Sequence, residues 1–323
     1  MEPLAGSHYL WDARRNEVRA RVGPMTKADG PARSRTWILA SAICAAVVAA
    51  SAAGVRTVGE TPTGAARNAA ATPPPAQSVE PPPLALPKAS WKLTWSDEFD
   101  GRGRPAKWTA LSGTSWSNRK ALHYYTPANA QQDGSGRLVI SARRTGAADR
   151  TTCWYGTCDY SSARLETSHS FDQAYGRFAA RIKLPLGKGL WPAFWLKRTD
   201  AGRSGSATYG EIDIMENRGH ETHLVRAYTH SKGRKGGGQI ALPERLDAGF
   251  HVYGVDWTPQ SITWWVDGKP YAQYPRYPGW PFDKPFHVIL NLQVGGTWVG
   301  NPNSKTHLPA RMVVDWVRVY RQR

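Results

Sequence analysis

The residues best suited to chemistry are the acids of Tyr209-Gly210-Glu211-Ile212-Asp213-Ile214-Met215-Glu216-Asn217. Ile212, Ile214 and Met215 mark the segment as an interior strand, where an ionisable side chain is costly unless it serves a purpose. On a regular strand Glu211 and Asp213 face one way and Glu216 the other. One extra residue near Ile214-Met215, a β-bulge, would return Glu216 to the face of its partners. The outer two acids would then lie on the order of 13 Å apart at their Cα atoms, a gap that inward-leaning side chains could mostly close. A retaining glycosidase uses two carboxyls about 5–5.5 Å apart, one as nucleophile and the other as general acid, then general base. Crowding also separates the pKa values, so that one acid keeps its proton near neutrality. The roles expected are Glu211 as nucleophile, Glu216 as acid/base, and Asp213 as the group that orients Glu211 by hydrogen bonding and tunes its charge. The same acids allow two other readings, a solvated strand and a carboxylate metal site. The metal reading lacks a cluster of His or Asp at ligand spacing.

Strands must position these acids, and the sequence alternates with period two almost throughout residues 91–323. Leu138, Ile140 and Ala142 share a face, as do Phe178, Ala180, Ile182 and Leu184. Asp267-Gly268 between two alternating runs is a type I′ hairpin signal. Further strands are expected over 224–230, 250–257, 286–294 and 311–320, and helical periodicity with caps is nearly absent. Roughly a dozen strands call for two packed sheets or a barrel. The 15 Trp and 13 Tyr would fill that core or line a groove whose aromatic faces stack on sugar rings.

Composition narrows the classes further. With 41% hydrophobic and 11% aromatic residues the chain can bury a core, which excludes wholesale disorder. Its 42 Lys+Arg against 25 Asp+Glu leave +17, but the basic residues are scattered and form a solvated surface instead of a nucleic-acid motif. Nucleic acid is not expected as a partner. Three cysteines exclude a disulfide scaffold, and the one long apolar run excludes a multi-pass membrane protein.

The N-terminal part divides in three. Residues 1–35 carry seven Arg/Lys and read as a basic signal n-region or cytoplasmic segment. Residues 36–55 are uncharged and form a signal-peptide h-region, with Ala50-Ser51-Ala52 as cleavage site, or an uncleaved signal anchor in the membrane. Either way the rest of the chain is exported. Residues 56–90, with eight prolines, form an extended Pro/Ala-rich linker. Export permits a disulfide between Cys153 and Cys158, whose use in so short a loop is to stiffen it.

GLWPAFWLK (189–197), YGEIDIMENRG (209–219), FHVYGVDWTPQSITWWVDGKPY (250–271) and FHVILNLQVGGTWVGN (286–301) resemble glycoside hydrolase family 16, and most closely its bacterial laminarinase-like endo-β-1,3-glucanases. The likeness spans nearly all of residues 91–323. It implies an all-β, concanavalin-like sandwich (jelly roll) with a concave substrate groove, and a retaining double displacement that needs no cofactor. By the same resemblance Trp191 and Trp195 would wall the groove, and Asn129 and Arg164 would bond sugar hydroxyls. His230 would stand close to the acid/base, and Trp298 would stack on the glycone side. A structural Ca²⁺ would take Asp315 and backbone carbonyls near Glu98.

The resemblance thus makes a β-glucan the partner and an exported monomer a sufficient unit. Mixed-linkage β-1,3-1,4-glucans, galactans and transglycosylation are alternatives within the enzyme class, and a non-catalytic glucan-recognition module stands outside it. The segment 231–238, SKGRKGGG, departs from the pattern and reads as a basic, Gly-rich loop that could favour an anionic or substituted glucan.

Overall fold

The computed structural model describes residues 84–86, 88–114, 120–200, 209–232 and 234–323, together with strands Leu10–Asp12 and Glu17–Arg19. The chain divides into units Met1–Pro75 and Ala76–Arg323. In the first, the two short strands pair antiparallel, Leu10 opposite Arg19. The signal or anchor segment expected at 36–55 and nearly all of the linker expected at 56–90 lie outside the described residues. Among the described residues no helix is long and apolar enough to cross a membrane.

The larger unit is built from thirteen principal strands: β1 (Trp91–Asp97), β2 (Leu138–Arg144), β3 (Arg164–Glu166), β4 (Gly176–Lys183), β5 (Leu190–Arg198), β6 (Gly210–Glu216), β7 (Leu224–Ser231), β8 (Arg234–Ala241), β9 (His251–Trp257), β10 (Ser261–Val266), β11 (Lys269–Pro275), β12 (Phe286–Val294) and β13 (Ala310–Gln322). They form two sheets. The front sheet runs β8-β7-β6-β5-β12-β3, and the back sheet β11-β10-β9-β4-β13-β2, with β1 beside the second half of β13. This is the two-layer sandwich that period-two patterning requires.

The inward face of each strand supplies the core. Leu138 and Ile140 of β2, Phe178, Ala180 and Ile182 of β4, and Val255 and Trp257 of β9 are fully buried from the back sheet. Phe194 and Leu196 of β5, Ile212 of β6, and Val288, Leu290 and Leu292 of β12 meet them from the front. The 267–268 turn has φ of 49° at Asp267 and 76° at Gly268, both in the left-handed region, as a type I′ hairpin demands.

One expectation is corrected. The Gly-rich 231–238 segment is a hairpin whose return arm, β8, pairs with β7 from Leu224↔Ala241 to Ser231↔Arg234. Its glycines serve close approach. A Cβ on Gly236 would lie 2.3 Å from the Tyr274 ring, and one on Gly238 2.7 Å from Ala272 Cβ. Tyr274 and Ala272 belong to β11, so the edge strands of the two sheets converge here and only glycine leaves room.

Candidate active site

β6 lies between β5 and β7 in the front sheet. Against β7 the pairs run Glu211↔His230, Ile212↔Thr229, Asp213↔Tyr228 and then Glu216↔Arg226, three steps on β6 for two on β7. Against β5, Asp213 opposes Trp195 and Met215 opposes Phe194, which leaves Ile214 without a partner there. The bulge therefore falls where the spacing of the acids demands it. It turns Glu216 onto the face of Glu211 and Asp213, and all three line one groove of about 880 Å³.

The three acids differ in environment. Asp213 is 3% exposed and Glu216 is 8% exposed, while Glu211 is only half-buried. Burial, then the negative charge of Glu211, pushes the Asp213 carboxyl well above its ordinary range. Burial also raises Glu216 well above its ordinary value, and the charge of Asp213 adds to it. The Trp191 indole works the other way, donating from Nε1 to Glu216 Oε1 at 2.8 Å. Glu216 thus holds a proton where a solvated glutamate would have lost it.

The hydrogen bond that orients Glu211 comes from an unexpected residue. Tyr209 OH donates to Glu211 Oε2, whereas Asp213 Oδ2 faces His230 Nε2 at 3.0 Å. Glu211 and Asp213 act on each other through the crowding of their carboxyls. Burial and the charge of Glu211 both raise the Tyr209 phenol pKa, which keeps it a donor. Tyr209 immediately precedes β6, at the alternate position before Glu211 and Asp213, so period two could have pointed to it.

The groove wall contains most of the residues expected there, namely Trp191, Trp195, Arg164, His230 and Trp298. Trp191 and Trp298 pack with centroids 4.6 Å apart. Trp195 Nε1 donates to Asn291 Oδ1 at 2.7 Å, and the Arg164 guanidinium lies over the Trp195 ring at 4.9 Å. Asn291 and Gln293 also line the groove. The sequence reading missed both, because they are polar members, with His287, of a mostly apolar strand and only their shared parity betrays them.

One expectation needs correction. Asn129 does not line the groove; it is buried, and its amide donates to Ser161 Oγ at 2.9 Å. His230 lies beside the acid cluster: Nε2 is 3.0 Å from Asp213 Oδ2 and 3.9 Å from Glu211 Oε1, and its charge acts on Glu216 as well. Strand register causes this, because His230 directly opposes Glu211. The Asp315 carboxylate, expected to help hold a calcium, is engaged from a neighbouring strand. Arg181 Nη1 donates to Asp315 Oδ2 at 2.6 Å, and Arg318 holds both oxygens of Glu98 at 3.0 and 2.8 Å. A cation on Asp315 would compete with the Arg181 guanidinium.

Among the described residues, the group with metal-ligand chemistry is Glu211, Asp213 and His230, with ligand atoms within 4.8 Å of one another. The histidine that the linear sequence lacked at ligand spacing is supplied by the neighbouring strand. Cys153 and Cys158 form a disulfide, with Cα atoms 5.0 Å apart.

Carboxyl chemistry at the floor of an indole-walled groove places the molecule among the glycoside hydrolases. Comparison with known proteins narrows this. The model of "Glycosyl hydrolases family 16" matches residues 118–318, and the chain belongs to that family. It is 42% identical over 256 residues to a beta-glucanase of Rhodothermus marinus, covering 72% of this chain and 85% of that one. Its structure is similar to the endo-beta-1,3-glucanase of Pyrococcus furiosus, with TM-score 0.68 and 40% identity over 76% of this chain and 99% of that one. It also resembles the catalytic domain of the endo-1,3-beta-glucanase (laminarinase) from Thermotoga petrophila RKU-1, with TM-score 0.66 and 38% identity over 73% of this chain and 99% of that one.

Proposed function

We propose that the protein is an exported, endo-acting hydrolase of β-1,3-glucans of the laminarin type, working with retention of anomeric configuration. The observation that carries this reading is the bulge at Ile214, which sets Glu216 beside Glu211 on the groove face. Glu211 attacks the anomeric carbon as the glycosidic C–O bond breaks, and Glu216 gives its proton to the departing oxygen. In the second half a water molecule loses a proton to Glu216 and displaces Glu211 from the same carbon. Asp213 is buried in the same cluster, and the crowding of the three carboxyls favours the protonated Glu216 that the first half needs. Carboxyl chemistry of this kind uses no metal or cofactor. The substrate class is supported by the β-1,3-glucanases among the similar structures.

Export rests on the basic residues that precede the uncharged run 36–55, with retention in the membrane as the outcome if that run is not cleaved. The groove lies within one chain, so a monomer suffices.

The test is reducing-end release from laminarin, mixed-linkage glucan, cellulose and agarose, with Glu211→Gln as the blank. Laminarin should be cleaved first, and proton NMR of early product should show the β anomer. A first-formed α anomer would overturn retention. Binding without cleavage of any polymer would make the protein a recognition module.

A further inference from the structure

The disulfide-closed loop 153–158 has no part in the chemistry described above, yet it presents an indole to solvent. Trp154 is 61% exposed, and among the described residues it is the one tryptophan left open to solvent. It is nevertheless held. Its Nε1 donates to Ala121 O at 2.9 Å, and its ring meets Tyr155 edge-on with centroids 5.2 Å apart. Tyr155 is fixed in turn, donating from its hydroxyl to Leu122 O at 2.8 Å and accepting from the Asp159 amide at 2.8 Å. An exposed aromatic anchored by its own polar atom, on a loop stapled at both ends, has lost its freedom before any ligand arrives. An indole preorganised in this way is the kind of side chain that serves as an anchor where a ligand meets it.

Position says what would bind. Ala121 forms a bridge with Gly295, and its neighbour Lys120 lines the catalytic groove. Gln293, Thr297 and Trp298, on either side of Gly295, line it as well. The Trp154 loop therefore adjoins the groove margin through Ala121. A polysaccharide leaving the groove at this margin would meet the indole next. A pyranose suits such a platform, since its C–H face can cover the ring while its hydroxyls remain in water.

We infer that Trp154 is a distal glycan-stacking subsite that engages neutral β-glucan chains long enough to extend from the cleavage point past Ala121. This rests on the glucan-hydrolase reading above. The experiment compares wild type, Trp154→Ala and Trp154→Phe on laminari-oligosaccharides of increasing length and on laminarin. The loss in kcat/KM for Trp154→Ala should grow with chain length and reach about tenfold on laminarin, carried by KM, the scale of removing one aromatic anchor. Trp154→Phe should recover most of it. A loss that is equal at every length, or accompanied by a lower Tm, would make the indole structural and overturn the subsite. So would Trp154→Ala matching wild type at every length. Wild-type failure to cleave any of these glucans would overturn the hydrolase reading itself, which is a different result.

Discussion

Trp191 aims its indole N–H at Glu216 Oε1 from 2.8 Å, so the groove wall is bonded to the acid that the bulge exposes. Burial and the charge of Asp213 favour the protonated acid, while the indole donor favours the carboxylate. Trp191 therefore limits how far the Glu216 pKa rises. Trp191→Phe should keep much of the packing against Trp298 and lose the donor. The basic limb of the pH profile of kcat/KM should then move to higher pH, because the acid holds its proton longer. A limb that stays put or moves down would place the titrating proton on another group.

Tyr209 stands to Glu211 as Trp191 stands to Glu216, as a donor on one carboxylate oxygen. Its role is to position the nucleophile. Tyr209→Phe leaves the ring and removes that bond, and a hydrogen bond to a charged group is worth about 1.5–3 kcal/mol. The turnover number should fall roughly 10- to 100-fold, the range that energy implies, with KM little changed. A loss carried by KM alone would make Tyr209 a sugar contact.

The parts of this site legible in the sequence are those set by neighbours along one strand. The acids, their parity and the need for a bulge all lie within Glu211–Glu216, and the bulge is where that need put it. What pairing between strands decides was not legible. His230 faces Glu211 and Asp213 because of β6–β7 register, which no linear spacing reveals. Arg181 reaches Asp315, an expected calcium ligand, from β4, and Arg318 of β13 pairs with Glu98 just beyond β1. The glycines of β8 read as a flexible loop because their cause, the approach of Ala272 and Tyr274, lies in the opposite sheet. Local pattern reports the element, and contact across sheets reports why it has its composition.

Asp213 links function to stability. Its folded pKa lies above the unfolded value near 3.9, so the native state keeps a proton that the unfolded chain releases. Stability then declines as pH rises from the unfolded pKa toward the folded one. Asp213→Asn removes this titration. The variant should be inactive or nearly so, yet more stable at pH 7 by on the order of 1 kcal/mol, or about 2–4 °C in Tm for a domain of this size. Thermal unfolding at several pH values tests it, and the gap should close as pH falls toward about 3, below the unfolded aspartate value. A gap that does not vary with pH would trace the gain to packing instead of ionisation.

Gly237 holds the edge of the front sheet beside the site. Its φ is +134°, and a Cβ there would lie 2.1 Å from the carbonyl oxygen of Ala227 on β7. Backbone cannot yield as a side-chain tip can, so Gly237→Ala must push β8 away from β7 or distort both. β7 also carries Tyr228 and His230, which line the groove opposite Asp213 and Glu211. The variant should lose about 2–3 kcal/mol of stability, and the protein that remains folded should show a lower turnover number. Gly249→Ala is the control, since a Cβ there meets nothing within 4 Å. If Gly237→Ala melts with the control and keeps full activity, β8 does not support the catalytic strand, and the convergence of the two sheets at this edge plays no part in shaping the groove.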